Sequence, residues 1–153
     1  MSTRAIKFLN QKGVSFDLVE YDHVRKGAKY ASEAIGFPLA KTIKTLVADL
    51  GPKGYALVLM PGDKSLSPKK LARAFGVKRT AMAEAADAER LTGYLVGGIS
   101  PFGTKRKLPV IMEKCLLKAD TVAINAGQRG VMLVLKPEDI VSALNAMIDE
   151  VAD

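Results

Sequence analysis

At 153 residues the chain is long enough for one complete domain, spanning 1–153, and too short for two comfortable ones. With 48% hydrophobic and 25% charged residues it reads as globular rather than disordered or fibrous. A formal net charge of +7 favours polyanionic partners such as nucleic acid or acidic lipid headgroups, although plain solubility explains such a surplus equally well. Cys115 stands alone, which excludes an intramolecular disulfide and a Cys-rich zinc site. The opening residues Met1–Ala5 lack the apolar run of a secretory signal. No stretch approaches the roughly 18 to 20 apolar residues of a membrane span, so a cytoplasmic chain with no membrane partner is expected.

In chain order, Thr3 to Lys12 predicts a helix with Ala5, Ile6 and Leu9 on one side and Gly13 as its stop. Val14 to Val19 predicts a strand ending near Tyr21–His23, and Tyr30 to Ile35 a short helix closed by Gly36. Ile43 to Leu50 and Tyr55 to Met60 are apolar runs joined by Gly51-Pro52-Lys53-Gly54, the pattern of a hairpin. Ser67 to Gly76 carries the plainest helix signal, with a serine cap, Pro68 at the first helical position and a terminal glycine. A further helical stretch is expected over Ala83 to Leu91. Gly93 to Ile99, Pro109 to Met112, Thr121 to Asn125 and Val131 to Leu135 are short and strand-like. From Pro137 a final helix is expected, with Ile140, Val141, Leu144, Met147, Ile148 and Val151 as one apolar stripe. Helices mixed irregularly with clustered strands predict an α+β domain with a largely antiparallel sheet rather than a doubly wound parallel one.

Several chemistries are excluded. His23 is the only histidine, and HExxH is missing, so a His-rich metal site is ruled out. No Gly-x-Ser-x-Gly elbow presents a serine nucleophile. Gly98 to Gly103 has the spacing of a phosphate-binding P-loop. However, Thr104-Lys105 reverses the required order and Pro101 removes a backbone donor. Cys115 has no histidine or helix start beside it and reads as a small half-buried hydrophobe.

Lys44 is the residue that stands out. It sits in Ile43-Lys44-Thr45-Leu46-Val47, a strand apolar on both faces, where a lysine either snorkels to water or points into a pocket. In a pocket it would be a fixed cation beside an apolar wall, able to polarise an ester carbonyl or hold a phosphate. Gly97-Gly98-Ile99-Ser100-Pro101 lets backbone approach a ligand and can present successive N–H groups to an anion, or is simply a tight turn. Asn125-Ala126-Gly127-Gln128-Arg129-Gly130 is a second segment of this kind. Basic residues cluster at Lys69, Lys70 and Arg73, at Lys78 and Arg79, and at Lys105 to Lys107. Few aromatics interleave with them, which suits a folded RNA held through its backbone or an ordinary solvated face.

The segments Ile43–Val47, Thr92–Gly103 continuing to Lys107-Leu108-Pro109, and Gly127-Gln128-Arg129-Gly130 resemble, in that order, the YbaK/ProRS-associated editing family. The likeness covers essentially the whole chain and looks closer to the YbaK branch than to the alanine-specific members. It implies that family's α+β fold, with a largely antiparallel sheet or partly closed barrel flanked by helices. The activity implied is deacylation of mischarged tRNA, chiefly cysteinyl-tRNA(Pro), without metal or organic cofactor. Prolyl-tRNA synthetase is implied as an associated partner. The family's lysine corresponds to Lys44, its neighbouring hydroxyl residue to Thr45 and its aromatic residue to Tyr21. Its glycine loop corresponds to Gly97, Gly98, Ile99, Ser100 and Pro101, and its second loop to Gly127 through Gly130. Met112-Glu113 replaces a common aspartate position, and Asn125-Ala126-Gly127 replaces Ser-Gly-Gly, differences that bear on amino-acid preference.

The resemblance also explains the missing nucleophile–base pair. An aminoacyl ester is already activated, and in the YbaK branch the substrate thiol attacks its own carbonyl. The protein then supplies a shaped pocket, Lys44 and loop N–H groups for the oxyanion. Two other readings remain open from sequence: a non-catalytic module that binds aminoacyl-tRNA or a synthetase, and an enzyme acting on another small activated ester.

Overall fold

The computed structural model describes residues 2–153. Its strands form two sheets. The larger has the order β4-β2-β3-β5-β8, from β2 (Ile43–Asp49), β3 (Tyr55–Pro61), β4 (Ala81–Met82), β5 (Val110–Glu113) and β8 (Met147–Asp149). The smaller has the order β1-β7-β6, from β1 (Asp17–Glu20), β6 (Val122–Asn125) and β7 (Val131–Leu135). Among the described residues only the β3–β5 and β5–β8 ladders are parallel, so the mixed, largely antiparallel α+β class stands. The sheets do not close into a barrel. An isolated parallel bridge between Thr42 and Ala123 brings the start of β2 against β6.

The β2–β3 hairpin follows the expected turn chemistry. Leu50 N–H bonds Gly54 O at 2.7 Å, and Gly54 adopts φ 84°, which only glycine tolerates well. The register sets Lys44 opposite Met60. On its other side β2 is paired only at Ala48 and Asp49, by the two-residue β4. The Lys44 end of β2 therefore faces the gap between the sheets.

The helices are α1 (Arg4–Gln11), α2 (Ala28–Ile35), α3 (Pro68–Phe75), α4 (Ala85–Thr92) and α5 (Pro137–Leu144). Ser67 caps α3 by accepting from Lys70 N–H, and Gly76 ends it in the left-handed conformation. Thr3 caps α1 through Ile6 N–H, and its hydroxyl donates to Ala126 O at 2.6 Å, tying the helix to the segment after β6.

Three expectations fail. Gly93–Ile99 is not a strand: Gly93 terminates α4 at φ 79°, Gly98 N–H closes a turn on Leu95 O, and Gly97 sits at φ 95°, outside strand geometry. The final helix stops at Leu144, because Asn145 takes φ 51°, a conformation asparagine tolerates. Residues 147–149 then pair with β5, leaving Met147 and Ile148 39% and 43% exposed while Val151 is buried. The apolar spacing there happens to match a helix without being one. Finally, β1 begins only at Asp17, three residues later than its alternation suggests.

The largest apolar cluster joins Ala5 and Leu9 of α1, Ile43 and Val47 of β2, Leu91 of α4, Phe102, Ile124 of β6, Leu133 of β7 and Ile140 of α5. A smaller cluster, Ala31, Ala123 and Met132 with Tyr21, Ile35 and Phe37 against it, fastens α2 to the small sheet. No helix among the described residues is long and apolar enough to cross a membrane.

Candidate active site between the two sheets

Where the open end of β2 meets the small sheet, α2 and the 96–99 turn, a cavity of about 180 Å³ forms. Its wall contains Tyr21 after β1, Gly27, Ala28 and Ala31 of the α2 region, Ile43, Lys44 and Thr45 of β2, Val96, Gly97 and Ile99, Asn125 of β6 and Met132 of β7. Lys44 is half-buried. Among the described residues no carboxylate comes within ion-pair distance of its ammonium, the pairs formed being Lys70–Glu150 and Arg90–Asp87. Beside it, Thr45 Oγ1 is buried with no hydrogen-bond partner, the one side-chain polar atom so placed among the described residues. An unsatisfied buried hydroxyl costs about 1–3 kcal/mol, and Thr45 is one of the residues that line the cavity.

The 93–103 segment is tied down by hydrogen bonds at both ends. Val96 N–H donates to Glu89 Oε2 at 2.8 Å, Tyr94 N–H to Thr92 Oγ1 at 3.2 Å, and the Tyr94 hydroxyl to Phe102 O. Burial, opposed by the nearby Arg4 cation, pushes the Tyr94 phenol up to about 12, so it stays a donor at ordinary pH. Asn125 links both glycine segments: its Oδ1 accepts from Gly127 and Gln128 N–H at 2.7 and 3.1 Å, and its Nδ2 reaches Gly97 O at 3.4 Å. The N–H groups of Gly97 and Ile99 find no protein acceptor among the described residues. Those of Gly98, Gly127 and Gln128 are already engaged, which leaves Gly97 and Ile99 as backbone donors of this cavity's lining without a protein acceptor.

The structure thus brings Tyr21, Lys44, Thr45, Gly97 and Ile99 together in one wall. Gly98 and Gly127 line an adjoining cavity instead. Ser100 and Pro101 are buried behind the turn, with Ser100 Oγ accepting from Phe102 N–H at 3.3 Å. Gly130 is buried beneath the chain, its carbonyl accepting from Tyr21 N–H. At φ 86° it leaves no room for a Cβ against His23 and Tyr21. Nothing in the sequence singles out Ala28, Ala31, Val96 or Met132, which reach the site only through tertiary packing. Asn125 did carry a local signal, as an asparagine two residues before a glycine at a strand end.

The lining holds no Asp, Glu, His, Cys or Ser. Among the described residues no three His, Cys, Asp or Glu side chains converge as a metal site would require. Cys115 lies elsewhere, and burial, reinforced by the Glu113 carboxylate, pushes its thiol up to about 11. The cavity lining holds a cation, a threonine, an apolar wall and two residues, Gly97 and Ile99, whose N–H groups have no protein acceptor among the described residues. That set can orient a small acyl group and stabilise negative charge on it, but it contains no nucleophile–base pair.

Residues 24–143 match the aminoacyl-tRNA editing domain family model. EbsC of Enterococcus faecalis, provisionally named a Cys-tRNA(Pro)/Cys-tRNA(Cys) deacylase, is 32% identical over 153 residues, covering 97% of this chain and 92% of EbsC. The Ser/Thr-tRNA deacylase ProXp-y of Escherichia coli K12 is 31% identical over 140 residues, covering 89% of this chain and 83% of that protein. A crystal structure provisionally described as a trans-editing enzyme for prolyl tRNA synthetase superposes with a TM-score of 0.90 at 25% identity. It covers 100% of this chain and 99% of the other. The chain belongs to the aminoacyl-tRNA editing domain family, whose members act as deacylases on mischarged tRNA.

Proposed function

We propose that the chain, as one editing domain over residues 1–153, is a cytoplasmic trans-editing deacylase. Its substrate is cysteine esterified to tRNA(Pro), met free or in company with prolyl-tRNA synthetase. The observation that carries this reading is the Lys44 cavity, whose lining sets an ammonium with no carboxylate partner beside Thr45 and a largely apolar wall. Because its wall supplies no nucleophile, the substrate supplies one. The cysteine sulfur attacks its own carbonyl carbon, the carbon–oxygen bond to the ribose breaks, and the thiol proton passes to the departing ribose oxygen. The product is a four-membered thiolactone. Lys44 polarises the carbonyl or fixes the terminal ribose, while Gly97 and Ile99 N–H groups receive the developing oxyanion. Tyr21 and Thr45 hold the amino acid. Gly98, Ser100, Pro101, Gly127 and Gly130 act by shaping the two segments around it.

The test is deacylation of cysteinyl-, alanyl- and seryl-tRNA by the purified protein. Rapid loss of cysteine with slow loss of serine and alanine is the expected pattern. Equal rates for serine would replace thiol attack with hydrolysis. Tight binding with every acyl bond intact would make the chain a non-catalytic aminoacyl-tRNA module, and efficient cleavage of free esters without tRNA would point to another small activated substrate.

A further inference from the structure

Val96 is gripped on both sides of its backbone by charged side chains from other parts of the fold. Its N–H donates to Glu89 Oε2 at 2.8 Å, and its carbonyl accepts from Arg129 Nη2 at 3.0 Å. Glu89 belongs to α4, whereas Arg129 stands 33 positions beyond Val96, in the segment after β6. The next peptide is fixed as well: Gly98 N–H closes on Leu95 O at 2.9 Å, and Asn125 Nδ2 reaches Gly97 O at 3.4 Å. Between these anchors, the peptide joining Val96 to Gly97 has its carbonyl held and its N–H without a protein acceptor among the described residues.

Two properties of that peptide connect Arg129 to the Lys44 cavity. It is planar and trans, so its N–H points opposite to its carbonyl. Val96 and Gly97 line the Lys44 cavity, whereas Arg129 lines only the adjoining one. A carbonyl drawn onto Arg129 thus turns the Gly97 N–H away from Arg129. Moreover, a hydrogen bond from a cation is stronger than a neutral one, and it polarises the amide so that its N–H becomes a better donor. Among the described residues no carboxylate lies within ion-pair distance of Arg129 to offset that charge. Glycine at 97 permits the arrangement: its φ is 95°, and a Cβ there would collide with the guanidinium.

We infer that Arg129 is a positioning residue for deacylation: acting through the Val96 carbonyl, it aims and polarises the Gly97 N–H that receives the oxyanion. Arg129 itself does not touch the substrate. The inference rests on the proposed role of Gly97 as an oxyanion donor and extends it to a side chain outside the cavity.

The experiment compares the parent with Arg129→Met, Arg129→Gln and Arg129→Lys in two measurements. One is single-turnover deacylation, at saturating protein, of the aminoacyl-tRNA that the parent cleaves fastest. The other is affinity for the same aminoacyl-tRNA with an amide in place of the ester, which resists cleavage. Arg129→Met and Arg129→Gln should slow the single turnover by about 10- to 100-fold, the scale of a donor misplaced rather than deleted. Their affinity for the amide analogue should stay within about twofold of the parent, a split that a general structural defect would not produce. Arg129→Lys keeps a cationic donor and should recover part of the rate. Two neutral variants keep the test decisive if one of them fails to fold. Parental rates in the folded neutral variants would overturn the inference. A loss of analogue affinity of about tenfold or more would also overturn it, by making Arg129 a substrate contact. A parent that deacylates no aminoacyl-tRNA sinks the enzymatic reading and this inference together; an active parent with unaffected variants sinks this inference alone.

Discussion

Replacing Thr45 by valine exchanges a hydroxyl for a methyl of nearly the same shape, at the one buried side-chain oxygen among the described residues that lacks a partner. In the free protein that oxygen carries a desolvation penalty of about 1–3 kcal/mol with nothing to offset it. Thr45→Val removes the penalty. At the lower end of that range the melting temperature of a chain this size should rise by about 2–4 °C. In the substrate complex the same change removes a hydrogen bond, so kcat/KM should fall by roughly 5- to 150-fold, the equivalent of about 1–3 kcal/mol. A variant that is more stable and less active separates a ligand-facing hydroxyl from a structural one, because a structural hydroxyl would lose stability with activity. The assay pairs thermal denaturation with Cys-tRNA(Pro) deacylation. A folded Thr45→Val protein that melts lower than the parent, or keeps full activity, would refute the reasoning.

Asn125→Ala leaves the N–H groups of Gly127 and Gln128 without their acceptor and frees Gly97 O. It should lower stability by about 1–2 kcal/mol in chemical denaturation and reduce kcat more than it raises KM, because the Gly97 and Ile99 donors lose their placement. Glu113 is buried, which alone would raise its pKa, yet N–H groups of Cys115, Ala152 and Val151 at 2.7, 2.9 and 2.8 Å outweigh burial and leave it lowered. Its contribution to stability is therefore present above the ordinary glutamate pKa of about 4.3 and is lost as pH falls through the folded value. Acid titrations of unfolding free energy should be shallower for Glu113→Gln than for the parent, and identical slopes would count against the clasp. With its thiol pushed up to about 11, Cys115 should alkylate slowly near neutral pH, and Cys115→Ala should deacylate at the parental rate; a large loss would return it to the mechanism.

What the sequence makes legible is local. Ser67, Pro68 and Gly76 bound α3 by backbone chemistry acting over one turn, and Gly51 to Gly54 closes the β2–β3 hairpin in the same way. Lys44 stands out because a cation in a strand apolar on both faces needs a reason. The failures share a different cause. The apolar residues from Ile140 to Val151 fit a helical period, and only pairing with β5 and the grip of Glu113 on Val151 and Ala152 decide otherwise. Likewise the glycines of 93–98 signal backbone freedom without saying that the segment turns against Gln128 and Arg129. Ala31 and Met132 enter the cavity because α2 folds onto the small sheet, a contact between residues a hundred positions apart.

The account turns on the ammonium of Lys44 acting on the substrate's acyl end. Single-turnover deacylation of Cys-tRNA(Pro), comparing the parent with a Lys44→Ala protein of unchanged circular dichroism and melting behaviour, tests that directly. Loss of a preorganised electrostatic contact should slow the chemical step by about 100-fold or more. A folded Lys44→Ala protein that releases cysteine at the parental rate would contradict the account.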